Sequence, residues 1–228
     1  MRVVIMGGTA GIGLATARAL RADGAEVVVT GRNRERLAAA GAEGLTAERV
    51  DGTDEDAVAA FFERIGAFEH LVLAFSSGHV GVGPIKDTEL ADIRAAFDGK
   101  LFAYLFAVQR ARVTGSVTLL SAASARAGLP GLAGLAAVNG AIERIVSPLA
   151  ADLAPVRVNA VSPGVIDTDW WAFLPEEQRA AQFAAAAESV PSGRVGTSED
   201  VAGAIRYVIG ADYVTGSILP VDGGFTVA

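Results

Sequence analysis

The sequence predicts an α/β chain: one doubly wound parallel sheet of about seven strands, with helices on both faces. Three observations carry that expectation. Short apolar, β-rich runs alternate along the chain with helical patterns. Hydrophobicity within the runs is continuous rather than alternating, as in strands buried on both faces. A glycine-rich turn from Gly7 to Gly13 joins the first run to the first helical pattern. No linker, long charge run or internal repeat divides the 228 residues, so residues 1–228 read as one domain.

The elements follow in order. Val3-Val4-Ile5-Met6 predicts the first strand, and residues 14–20 carry a helical pattern. Further strands are expected over residues 27–30, 45–50, 71–74, 117–121, 156–160 and 217–221. Helical patterns lie between them over residues 34–40, 55–65, 89–110, 132–153 and 199–209. Asp54 reads as the N-cap of the helix that follows it. Residues 169–191 fit no strand and hold Trp170, Trp171, Phe173 and Phe183. They read either as a lid over the ligand-binding end of the sheet or as an amphipathic surface helix with its aromatics docked in the core.

Composition narrows the function. The net charge of −7 argues against nucleic acid, which needs a basic face. Mean hydropathy is high at +0.40, but much of it is helical alanine, and no apolar run approaches the roughly 18 residues that cross a bilayer. The first strand begins at Val3, so no leader is expected, and with no membrane segment a cytoplasmic protein is the plain expectation. The absence of cysteine removes disulfides and thiolate ligands, and no metal site is expected. Of 19 basic residues only two, Lys86 and Lys100, are lysine.

Strand, glycine turn and helix form a phosphate-binding context. Glycines let the backbone turn tightly and approach a pyrophosphate, whose charge the helix N-terminus stabilises. The spacing Gly-x-x-x-Gly-x-Gly, formed by Gly7, Gly11 and Gly13 around Thr9 and Ile12, resembles the glycine motif of the short-chain dehydrogenase/reductase family. The second strand ends Thr30-Gly31-Arg32-Asn33, where a Rossmann-type fold meets the adenosine ribose. An acidic residue there favours NAD, whereas an arginine accommodates a 2′-phosphate, so Arg32 predicts NADP(H) over NAD(H), with Asn33 beside it. Arg34 and Arg36 read as solvated residues of a helix start.

Other segments extend the resemblance over essentially the whole chain. Asp51-Gly52 resembles the family's loop whose aspartate accepts from the adenine amino group. Residues 156–168, Val-Arg-Val-Asn through Pro163, Gly164, Ile166 and Thr168, resemble the loop that holds the nicotinamide amide through backbone near Ile166 and a pyrophosphate oxygen through Thr168. The ending, from Gly193-Arg194-Val195-Gly196 to Val221-Asp222-Gly223-Gly224, is also similar. The resemblance implies a homotetramer or homodimer through the helices over 89–110 and 132–153.

The chain departs from the family at its chemistry. The family uses Asn, Ser, Tyr and Lys, and these fall here on Lys100, Ala122, Leu135 and Asn139. The loop usually written Asn-Asn-Ala-Gly is Leu73-Ala74-Phe75-Ser76, which places Ala74, Phe75 and Ser76 against the cofactor. Val82 and Ala96 stand four residues before the two lysines, so no Tyr-x-x-x-Lys exists. Asn139 can still bond a ribose but brings no charge. The candidate stand-ins are Lys100, Ser121 and Tyr104, with Ser124 and His79 nearby. Lys100 and Tyr104 are four apart on a predicted helix, where a cation beside the phenol would lower its pKa. Tyr104 otherwise reads as core and His79 as a solvated loop residue. The expected function is an NADP(H)-dependent oxidoreductase acting on a small carbonyl or alcohol with a non-standard proton donor. A dinucleotide-binding sensor or scaffold, and a non-redox enzyme on the same fold, are the alternatives.

Overall fold

The computed structural model describes residues 1–227. Its strands are β1 (Arg2–Met6), β2 (Glu26–Gly31), β3 (Thr46–Arg49), β4 (Ala67–Leu73), β5 (Arg112–Leu120), β6 (Arg157–Pro163) and β7 (Ile218–Val221). All pair in parallel in one sheet, in the order β3-β2-β1-β4-β5-β6-β7. The helices are α1 (Gly11–Ala22), α2 (Arg34–Ala42), α3 (Glu55–Ile65), α4 (Leu90–Phe97), α5 (Ala103–Arg110), α6 (Ala133–Asp152), α7 (Glu176–Ser189) and α8 (Ser198–Gly210).

The sheet has a core on each face, which explains the unbroken hydrophobicity of its central strands. Val4 and Met6 of β1 point to the face covered by α3, α5 and α6, where they meet Phe61, Phe62, Tyr104 and Ile142. Val3 and Ile5 point to the other face, against Ala17 and Leu20 of α1 and Val201 and Ile205 of α8. Each such large side chain contributes about 1.5–3 kcal/mol by leaving water. Local signals start the helices between the strands. Asn33 Oδ1 accepts from Arg36 N at 3.0 Å, and Asp54 Oδ1 accepts from Ala57 N at 3.0 Å. Each cap satisfies an otherwise orphaned N–H and is worth about 1 kcal/mol.

Three segments differ from the expectation. The helix over 89–110 is interrupted by a π-helical turn, Asp98–Phe102, between α4 and α5. β6 runs on to Pro163, because Ser162, polar and loop-like in sequence, is fully buried and donates to Glu143. Residues 169–191 form a 3-10 turn, Asp169–Phe173, followed by α7, and none of their four aromatics is buried in the core. Instead Trp171 packs edge-on against Trp170 and Phe183, with ring centroids 4.8 and 5.8 Å away. Among the described residues no helix is long and apolar enough to cross a membrane.

Candidate active site

The chain passes from β1 out to β3, then returns to the other side of β1 with β4. At such a switch point the loops leaving the strands diverge and open a crevice beyond their carboxyl ends. A cavity of about 1570 Å³ lies there, lined by the loops that follow β1 through β6. It exceeds the roughly 300–1,000 Å³ of an ordinary small-molecule site, which leaves room for two ligands.

The loop after β1 fits a pyrophosphate. Gly7 has φ +82°, and a Cβ on it would stand 2.7 Å from the Ala74 carbonyl oxygen. A Cβ on Gly13 would run into the Gly7 carbonyl. The glycines thus let α1 seat its N-terminus directly against the loop, with Thr9, Gly11 and Ile12 facing the cavity. Arg32 leaves the end of β2 with an exposed side chain whose Nη1 is 3.9 Å from Asp51 Oδ2. Burial pushes the Asp51 carboxyl up, but hydrogen bonds from Thr53 and the charges of Arg32 and Arg49 outweigh it and hold the carboxyl below its ordinary range. Gly52 receives the Phe75 ring, and Ala74 and Ser76 continue that wall. The Asn33 side-chain oxygen serves as the cap of α2. Thr168 Oγ1 accepts from Trp170 N at 3.3 Å, so its own proton remains free for an anion. Pro163, Gly164 and Ile166 line the cavity on the same side. These residues fit a dinucleotide.

Arg36, expected to be solvated, pairs with Asp169 at 2.9 Å. The Trp171 indole N–H donates to the Ile166 carbonyl at 3.0 Å. Residues 169–171 are therefore latched to both ends of the dinucleotide cradle. His79 is exposed, as expected of a loop residue, but its ring stacks on Phe173 with centroids 4.2 Å apart.

The three candidate stand-ins separate sharply. Lys100 lies in the π turn, is buried and lines the cavity. Its Nζ donates to Asn139 Oδ1 at 2.6 Å and to the Ser121 carbonyl at 3.4 Å. Burial lowers its pKa to about 7, against the opposing pull of Glu143. Tyr104 does not bond with Lys100. Its hydroxyl donates to the Phe75 carbonyl at 2.9 Å, and burial pushes the phenol well above its ordinary value. The expected lowering by a lysine four residues away fails because burial dominates at the phenol and the two polar ends are committed elsewhere, the amine to Asn139 and the hydroxyl to Phe75. The Ser121 hydroxyl donates to Glu143 Oε1 at 3.0 Å, so it is not free for a substrate.

Sequence reasoning missed the network beneath Ser121. Glu143 Oε1 also accepts from Ser162 Oγ at 2.7 Å, and Arg126 donates to Ser162 Oγ at 3.0 Å while its Nε lies 3.4 Å from Glu143 Oε2. One signal was available: Glu143 follows Asn139 by four residues, on the same face of α6. Nothing in the sequence pointed to Arg126.

A glycine cradle at the switch point of a doubly wound parallel sheet defines the class, a dinucleotide-type α/β fold. Residues 7–226 match the family described as enoyl-(acyl carrier protein) reductase. The chain belongs to the short-chain dehydrogenase/reductase family, and the relatives it matches are dehydrogenases and reductases. It is 32% identical to the 3-oxoacyl-[acyl-carrier-protein] reductase MabA of Mycobacterium tuberculosis, over 97% of this chain and 91% of that one. It is 29% identical to gluconate 5-dehydrogenase of Gluconobacter oxydans, over 100% and 95%. A small-chain dehydrogenase solved in complex with NADPH shares 31% identity at a TM-score of 0.88, with 100% and 99% of the two chains covered.

Proposed function

We propose that this chain is an NADP(H)-dependent reductase of uncharged, largely apolar carbonyl compounds, with Lys100 as proton donor. The carrying observation is Lys100 itself, a buried amine on the cavity wall held by Asn139. When bound, the nicotinamide supplies the hydride. Lys100 holds a proton for the substrate oxygen, and a pKa near the working pH suits a general acid. Leu135 replaces a polar group by an apolar wall and helps to exclude water.

The substrate class follows from charge. The charged residues lining the cavity are Arg32, Arg36, Asp51, Glu55 and Asp169, together with the neighbours Asp98 and Lys100. Arg32 and Asp51 pair at the adenosine end, and Arg36 is taken by Asp169. On the cavity wall beside Lys100 the one other charged residue is Asp98, with Glu143 lying behind Ser121, and the remaining wall includes Leu129, Leu135, Trp171 and Phe173. Lys100 is the one cation on this part of the wall, and its amine already donates to Asn139 and titrates near pH 7, so an anionic substrate taken out of water there would be poorly compensated. We read residues 169–191 as the lid over this end, and the exposed Leu90 and Phe102 as part of a homo-oligomer interface.

NADPH consumption with α-tetralone, a neutral bicyclic ketone, tests the reading. Turnover is expected, at a kcat/KM roughly tenfold or more above that of a carboxylated tetralone. Tight NADPH binding with no turnover on a panel of neutral ketones would instead favour a sensor.

Cofactor choice has its own test, supported by the NADPH complex of the 31% identical neighbour. NADPH is expected to bind this chain more tightly than NADH in a fluorescence titration. Arg32→Ala weakens NADPH by roughly 10–100-fold, the value of a charge-assisted hydrogen bond, and leaves NADH nearly unchanged. Equal affinities in the unmodified protein would end the claim.

A further inference from the structure

We propose that the Ser124 hydroxyl is the group that orients the substrate carbonyl oxygen, and that Asn139 and Lys100 fix its direction. The inference rests on the reductase reading and adds a second contact to the same site.

The geometry of Asn139 leaves one arrangement. The atom facing the Leu135 carbonyl, which can only accept, must be the NH₂, so the atom 2.6 Å from Lys100 Nζ is Oδ1, an acceptor for the ammonium. Its Nδ2 then donates to the Leu135 carbonyl at 3.0 Å and to Ser124 Oγ at 3.1 Å. An amide NH₂ can only donate, so Ser124 Oγ is the acceptor in that bond. The Ser124 proton is left over, and no other described side chain or carbonyl takes it. Ser124 is half-buried and lines the cavity, so its free O–H has the cavity in which to find a partner.

Ser121 offers the contrast. Its hydroxyl is buried and already donates to Glu143. The residue between β5 and the 3-10 turn Ala123–Ala125 at which the family carries its serine is Ala122, which has no donor. Of the hydroxyls in this segment, Ser124 alone combines a place on the cavity wall with an uncommitted proton. Lys100 strengthens it indirectly, since a cation on Oδ1 polarises the amide and makes its N–H a better donor to Ser124. A serine oxygen that accepts such a bond donates more strongly in turn. Ser124 makes a hydrogen bond and transfers nothing, so the proton delivered to the substrate oxygen is still that of Lys100.

The test compares Ser124→Ala, Ser124→Thr, Ser121→Ala and the unmodified protein on α-tetralone with NADPH. Losing an oriented donor costs roughly 10²-fold in kcat, so Ser124→Ala should lose about that much, with most of the loss in kcat. Ser124→Thr, which keeps the hydroxyl, should recover most of it. The pH profile should keep its inflection in Ser124→Ala, because Lys100 still titrates. Quenching of Trp170 and Trp171 fluorescence reads α-tetralone binding without turnover, and Ser124→Ala should weaken it roughly fivefold. A Ser124→Ala protein within twofold of the unmodified one in both rate and affinity overturns the inference, as does a loss confined to Ser121→Ala. An unmodified protein that binds α-tetralone without reducing it defeats the reductase reading instead, and the binding measurement still decides the Ser124 contact.

Discussion

Lys100→Met is expected to lower kcat for α-tetralone reduction by roughly 10²–10⁴-fold, the usual contribution of a positioned general acid. Methionine keeps the length and apolar stem of lysine but carries no proton. The pH profile is the sharper measure. Reduction needs the ammonium form, so the rate is full below about pH 7 and falls above it, where the amine loses its proton. In Lys100→Met that limb disappears. Unchanged rates and an unchanged profile would rule Lys100 out. Stability gives an independent reading of the same amine. Its folded pKa of about 7 lies below the ordinary 10.5, so between those values the unfolded chain binds more protons than the folded one. Stability from this group therefore rises with pH across that window. The melting temperature of the unmodified protein should climb relative to that of Lys100→Met from about pH 7 to about pH 10.

Gly13→Val is expected to abolish NADPH binding, a loss of at least roughly 100-fold in a fluorescence titration. The obstruction is backbone rather than ligand. A Cβ at this position meets the Gly7 carbonyl, so the cradle itself must move. Gly13→Ala is therefore also expected to weaken binding, with a lowered melting temperature and a retained helical circular dichroism signal. Gly41→Ala is the control, since a Cβ there meets nothing within 4 Å. Normal NADPH binding by Gly13→Val would show the loop to be a turn without a ligand.

The seven strands were legible because β1, β2 and β4 through β6 are buried runs of Val, Leu and Ile, read by both faces of the sheet. The edges were less so. β3 is Thr-Ala-Glu-Arg with its end residues exposed, and the expected run over residues 45–50 owes its apolar ends to Leu45 and Val50, which lie just outside the strand. The glycine loop and the position of Arg32 on the cavity wall were legible because both are set locally, by the turn after β1 and by the end of β2. The π turn was not, since a wider turn leaves the apolar pattern on either side intact. The polar network was hidden for a different reason. Arg126, Glu143 and Ser162 are 17 to 36 residues apart, and only the packing of α6 on β6 brings them together. The same separation hid the free Ser124 proton, which depends on an amide held at its oxygen by Lys100, 39 residues away from Asn139.

The π turn makes the placing of the amine a matter of helical phase. In a regular α-helix each residue advances the side chains by roughly 100°, whereas a π turn fits in an additional residue. Ala96 on α4 and Ala107 on α5 are buried on either side of the turn, so both flanks are pinned to the interior. Gly99 lets the turn lie close to Ser77, where a Cβ would stand 2.6 Å from Oγ. A lineage one residue shorter at this point would wind straight through and swing its lysine to another side of the helix. Chains that place a lysine as this one does are thus to be recognised by the length of the segment between two packed alanines as much as by the letter at its centre.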